Sequence, residues 1–528
     1  MTRISALLAA LLLAAPLFAA GAAQADSPKV LRYTPSSDLA SLDAMITTAT
    51  TVGQHGSMVY DTLFSLDENR VARPQMVGEE NVSPDRLTYR FTLRPGLRFH
   101  DGQKVTSADV IASITRWMVR DTFGQILKSR LASFTVDGPD AMVLTLRTPF
   151  PFVEMALGSI TGNQPLIMRE QDAKTDPFKP VTTAIGSGPF RFLPDQYMIG
   201  VGAAWAKNTE YVPRVEPVSA HAGGKVVKVD RVELKFIPDA ATRGNAIIKG
   251  EIDFIDQLPA DMVPLLQRDP NVVVSRLSPL ASVSYLRPNA LFPPFNNIKA
   301  RQALALSVNQ ADYMAAGYGT PEWWRPTCFS FFGCDTANTT EEGSEPYRQQ
   351  DLERARVLLK ESGYDGTPIV LVGTTELPAQ QALAQVAADA LQRIGAKVDL
   401  QLMDFATLQA RRLSKAPPGK GGWNLTASAL AGAGMWTPLL NVTINTACDQ
   451  KNYFGWPCDE AVEKLRTEYA AEPDEAKRRA KLDELSRALW AALPTIPTGT
   501  YYSPYAWRKE LTGVIRAAPL VFWNIEKK

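Results

Sequence analysis

The stretch from Pro368 to about Phe405 constrains the fold most. "PIVLVG" (Pro368 to Gly373) reads as a buried strand, Ala379 to Ile394 as an apolar-periodic helix stopped by Gly395, and "KVDLQLMDF" as a second strand. Strand, helix and strand in that order make a right-handed crossover, and so a parallel sheet. A second such alternation lies upstream. "VDRVELKFI", starting at Val229, reads as a strand, "ATRGNAIIKG" as a helix closed by Gly250, and "IDFI" as a short strand. The chain is therefore α/β, and at 528 residues it is too long for one compact core, so two or more lobes are expected.

Between Leu87 and Met118 the period changes within a few residues. Leu87, Tyr89, Phe91 and Leu93 alternate with polar neighbours as in a half-buried strand, and Pro95 with Gly96 turns the chain. Asp101 and Gly102 make a second turn. Thr106 and Asp109 then form a capping box for a helix that places Val110, Ile114, Trp117 and Met118 on one face. His100 and Asp101 thus sit at a corner between a strand and a helix start. A helix from Asp351 to Ser362 carries Leu352, Ala355, Leu358 and Leu359 inward, and "KAPPGKGGWN" (Lys415 to Asn424) is a loop. There is no internal repeat.

A formal charge of +1 with 21% charged residues offers nothing to a polyanion, so neither nucleic acid nor an anionic membrane is an expected partner. Arg3, the apolar run "ALLAALLLAAPLFAA" and the small residues Ala23 to Ala25 read as a signal peptide over residues 1–25. Export to a periplasmic space follows, and no later apolar run is long enough to span a bilayer. Four cysteines fall in two local pairs, Cys328 with Cys334 and Cys448 with Cys458, which in an exported chain are expected to be disulfides. A metal site is the competing reading. Neither pair has CxxC spacing and no histidine lies near either, so none is expected, and no cofactor. The three histidines, His55, His100 and His221, form no HExxH, and there is no GxSxG elbow or phosphate loop. Most motif-bearing enzymes are thereby excluded, although carboxylates paired only by folding are invisible to spacing.

Six further pieces occur in a telling order: "VYDTLF", "LRPGLRFHDGQKVTSADVIASITR", "GSGPFRF", "PDAATRGNAIIKGEIDF", "PPFNNIKARQALALSVNQADY" and "ARVLLKESGY". Together they make the chain resemble the extracytoplasmic solute-binding proteins of the dipeptide, oligopeptide and nickel class, family 5, which serve ABC importers. The resemblance runs across nearly all of the chain after the leader. It implies two hinged α/β lobes of the periplasmic-binding-protein type with an enlarged first lobe: residues 26–283 with 499–528 as lobe I and residues 284–498 as lobe II. It further implies a monomer that traps a peptide or peptide-like solute, hands it to a membrane permease, and does no covalent chemistry. By the same resemblance the Phe-His-Asp-Gly corner is scaffold.

Peptide-binding relatives hold the ligand's ammonium with an aspartate that lies between a tryptophan and a cysteine pair. Here Trp423 and the Cys448, Cys458 pair occupy those flanks, and the place of the acid falls on Thr437, followed by Pro438. A buried ammonium without a carboxylate costs several kcal/mol. Met435, Trp436 and Thr437 are therefore expected to offer an apolar, stacking surface instead, against core packing as the rival role of Trp436. Thr48 and Thr50 are candidates on the first lobe, with helix capping as their rival role. Trp324 is a further candidate, with anchoring of the neighbouring cysteine loop as its alternative. The other readings are a receptor for a sugar conjugate, opine or metal chelate, and, from another class, an exported hydrolase.

Overall fold

The computed structural model describes residues 28–160, 163–450 and 453–528. The expected signal peptide lies outside them. Two sheets dominate. The first has seven strands in the order Val272–Arg276, Pro504–Arg508, Phe254–Ile255, Val30–Thr34, Arg231–Lys235, Gly202–Lys207 and Phe190–Phe192. Its three central strands are parallel and the flanking ones antiparallel. The strand, helix and strand expected after Val229 are present as Arg231–Lys235, Ala240–Ile248 and Phe254–Ile255. Asp239 caps the helix by accepting from the Thr242 amide, and Gly250 leaves it with φ 73°. The two strands are not neighbours, because the N-terminal strand Val30–Thr34 slots between them.

The second sheet runs Val398–Met403, Ile369–Thr374, Leu425–Leu430, Ser282–Pro288 and Ile496–Tyr501. The expected crossover is realised: Ile369–Thr374 and Val398–Met403 pair in parallel through the helix Pro378–Arg393, which buries Leu383, Ala384, Ala387 and Leu391. A four-stranded antiparallel sheet adjoins the first lobe and contains Thr88–Leu93, whose side chains alternate buried and half-buried. The chain passes between the two large sheets twice, at 277–281 and 502–503. Both expected lobe boundaries fall just inside strands of the five-stranded sheet, Ser282–Pro288 and Ile496–Tyr501.

The Phe-His-Asp-Gly corner is a joint. The Thr106 and Asp109 capping box opens the helix Ser107–Arg120, whose Val110, Ile114, Trp117 and Met118 are buried. The His100 amide donates to Gly186 O at 2.7 Å, its Nε2 lies 3.1 Å from Gly188 O, and its carbonyl accepts from Arg191 Nη1 at 2.6 Å. Two glycines make this fit possible: a Cβ on Gly186 would lie 2.0 Å from Val59 O, and one on Gly188 2.6 Å from Met58 O. Burial pushes the His100 imidazole down to about 4, against the pull of its Gly188 bond. His100 is thus a neutral packing element that binds two motifs of the sequence together.

Cys328 and Cys334 form one disulfide, and Cys448 and Cys458 the other. The segment before the first of these is moored across the molecule. The helix Gln310–Tyr318 packs on the five-stranded sheet, with Tyr318 stacked on Tyr501 at 3.6 Å between ring centroids. Five residues further on, Trp323 inserts among Ile247, Leu266, Val272 and Ala506 of the seven-stranded sheet's layer, under the Arg276 guanidinium.

Candidate functional site

In open α/β sheets ligands bind beyond the carboxyl ends of the parallel strands. On the first sheet, Val30–Thr34 and Phe254–Ile255 end side by side, and the Asp256 amide donates to Thr34 O at 3.0 Å. On the second, Leu425–Leu430 leads into a tight turn at Gly432–Gly434 followed by Met435, Trp436 and Thr437. Gly432 is needed there: a Cβ would lie 2.1 Å from Ala281 O, so the turn presses directly on the passage between the sheets. Trp436, 5% exposed, packs with Leu66 and Ile160, which fall within the expected first lobe, and with Leu280 of the passage. Its carbonyl accepts from Asn338 Nδ2 at 2.8 Å, and Asn338 Oδ1 accepts from the Tyr469 hydroxyl. Met435 and Thr437 are buried beside it.

The other sequence candidates are spread more widely. Thr48 is exposed on the loop after the first strand, and Thr50 opens the helix Thr50–Val59 half-buried. Neither caps that helix, because Ala49 is the N-cap and makes no side-chain bond. Trp324 is buried, donates through Nε1 to Gly319 O at 2.9 Å, and forms a short bridge with Tyr501 where the chain leaves the second sheet. Only Met435, Trp436 and Thr437 are brought together.

Three first-lobe acids bear on the missing aspartate. Asp38 is half-buried and accepts from the amides of Leu39 and Gly200, whereas Asp43 is enclosed by Arg116 at 2.8 Å with the amides of Met45 and Val181, so both of its oxygens are taken within the protein. Asp256 is different. It is fully buried, accepts from Gln54 Nε2 at 2.9 Å through Oδ2, and its Oδ1 has no partner. Burial pushes its carboxyl up to about 6, opposed by the Gln54 bond and the Arg243 guanidinium. The sequence reading missed this residue. Its only signal was an acid directly after the buried strand "IDFI", where apolar residues would continue a core.

Among the described residues no cluster of three or more His, Cys, Asp or Glu is arranged to hold a metal ion, and no helix is long and apolar enough to cross a membrane. The family profile "Bacterial extracellular solute-binding proteins, family 5 Middle" matches residues 72–437. The chain is 37% identical over 497 residues to the "Probable peptide ABC transporter periplasmic-binding protein y4tO" of Sinorhizobium fredii, covering 93% of this chain and 92% of that one. It is 27% identical over 474 residues to the glutathione-binding protein GsiB of Salmonella paratyphi A, covering 86% and 85%. The structure of the binding protein AgaA from A. tumefaciens R10, in complex with agropinic acid, superposes with a TM-score of 0.78 at 22% identity, over 94% of this chain and 99% of the other. Two large sheets joined by two passages, and a profile match over most of the sequence, lead to one assignment: the chain belongs to the bacterial extracellular solute-binding proteins of family 5.

Proposed function

We infer that the protein is the periplasmic receptor of an ABC importer, closing two lobes on a peptide or peptide-like solute and delivering it to a membrane permease. The lobes are residues 26–283 with 499–528, and 284–498, to within the strands that cross between them. The reading is supported above all by Trp436, which comes from the second sheet and packs on Leu66 and Ile160 of the first lobe. A side chain that touches both lobes reports their closure and meets whatever lies between them. A solute bound to both lobes favours the closed form by its differential affinity alone. In this reading Met435, Trp436 and Thr437 line the specificity surface, and Thr48, Thr50 and Trp324 meet the solute, if at all, from separate elements.

A non-peptide solute, such as an opine, is the second reading. It is favoured by the absence of any Asp or Glu from Trp423 to Ala447, and by the similarity to a protein solved with agropinic acid. Titration with a free tripeptide, its N-acetyl form and an opine, followed by tryptophan fluorescence, tests both. The bound solute is expected to quench the signal, and Trp436→Ala to abolish the quench and weaken affinity at least tenfold. Unchanged affinity in that variant would remove Trp436 from the site. A peptide that binds only while its amino terminus is free would show that an acid elsewhere replaces the one absent at Thr437.

A further inference from the structure

We propose that Asp256, aided by Gln54, receives a cationic group of the solute, an ammonium or a guanidinium, at the first-lobe side of the crevice. The proposal rests on the receptor reading above and gives it a charge requirement. The two side chains come from elements 202 positions apart in sequence and meet at the carboxyl end of the central parallel strands. Gln54 spends its amide N–H on Asp256 Oδ2. That leaves two buried acceptors, Asp256 Oδ1 and Gln54 Oε1, with no donor. A buried acceptor without a donor is costly, and here one of the two belongs to a carboxylate, for which the cost is greatest.

One cation bearing several N–H groups would satisfy both acceptors, whereas an anion would be repelled by the carboxylate. The surrounding charges are few. Arg243 faces Asp256 from the helix Ala240–Ile248, and the phenols of Tyr33 and Tyr505 face it from the neighbouring strands. Arg243 favours the ionised carboxylate without hydrogen-bonding to Oδ1. Gln257, immediately after the acid, has φ 53°, so the chain bends sharply away at this point. Access to so deeply covered a group requires the lobes to swing apart, as hinged receptors do.

The experiment is a thermal-shift screen of the full mature protein against matched probes: agmatine, trialanine and octopine, each carrying a cationic nitrogen, with N-acetyltrialanine and glucose as counterparts lacking one. Calorimetry of the best hit follows at pH 7.5 and pH 5.0, in the wild type, Asp256→Asn and Gln54→Ala. Cationic probes are expected to raise the melting temperature and their counterparts not. Asp256→Asn should weaken binding about a hundredfold and Gln54→Ala about tenfold. Wild-type affinity should fall several-fold from pH 7.5 to 5.0 as the carboxylate takes up a proton, and that dependence should vanish in Asp256→Asn. Binding confined to the counterparts, or an Asp256→Asn variant within threefold of the wild type, overturns the cation site and leaves the receptor reading standing. A screen in which none of the five binds overturns the receptor reading for these solute classes, and this proposal with it.

Discussion

Asp43 and Asp256 are both 0% exposed acids of the first lobe, and their surroundings are opposite. Asp43 is enclosed by Arg116 and the amides of Met45 and Val181, so both of its oxygens are used. Arg116 in turn donates to the carbonyls of Thr175, Asp176 and Lys179, which fastens the 175–181 loop to the helix Ser107–Arg120. Asp256 has one partner, an uncharged amide, and one oxygen with none. Burial by itself therefore does not separate scaffold from site. What separates them is whether the protein supplies all the partners that a buried charge requires.

The largest effect should come from breaking the satisfied acid. Asp43→Ala strands the buried Arg116 and is expected to cost about 3–5 kcal/mol in urea denaturation, while solute affinity in the protein that remains folded is unchanged. A loss of affinity without a loss of stability would reverse the roles assigned to the two acids. Next, Asp256→Asn should raise stability. The folded carboxyl lies near 6 and its unfolded value near 3.8, so the folded protein holds the proton more tightly, and its stability is lost as the pH rises through 6. At pH 8 the ionised acid costs on the order of 3 kcal/mol, which the variant recovers. The gain should shrink toward zero as the pH falls from 6 to 4, in parallel melts of variant and wild type. The smallest effect belongs to His100→Ala, which removes one ring contact with Gly188 and is expected to cost about 1 kcal/mol with affinity unchanged. A hundredfold loss of affinity there would make the corner part of the site.

The same contrast explains what the sequence revealed. Features set by neighbouring residues were legible: the capping box at Thr106, the alternation of Thr88–Leu93, the crossover after Ile369, and both disulfides. The helix at Leu352–Glu361 was also legible, but of its four expected inward residues only Ala355 and Leu359 are fully buried, Leu352 and Leu358 being half-exposed at its margin. Features made by distant pairs were not. Nothing near Val30 indicates that its strand separates Arg231–Lys235 from Phe254–Ile255, because that placement is a tertiary choice among several edges. The resemblance directed attention to Trp436 by position, but its partners Leu66 and Ile160 are ordinary apolar residues elsewhere in the chain. Asp256 and Gln54 carry no mutual spacing signal, and their meaning lies in an unmet hydrogen bond that exists only once the fold is complete.

Trp323 has a mechanical consequence. Two covalent passages between the sheets, at 277–281 and 502–503, form a two-stranded hinge. Trp323, its indole held in the apolar layer of the seven-stranded sheet while the preceding helix Gln310–Tyr318 rides on the second sheet, and its backbone carbonyl accepting from the Tyr502 amide at 2.8 Å, is a third point of attachment. The second passage is therefore braced by a side-chain anchor directly beside it. Any relative movement of the two sheets must carry this indole along or draw it out of its apolar layer, so the grip of Ile247, Leu266, Val272 and Ala506 on one ring resists separation at that side of the hinge.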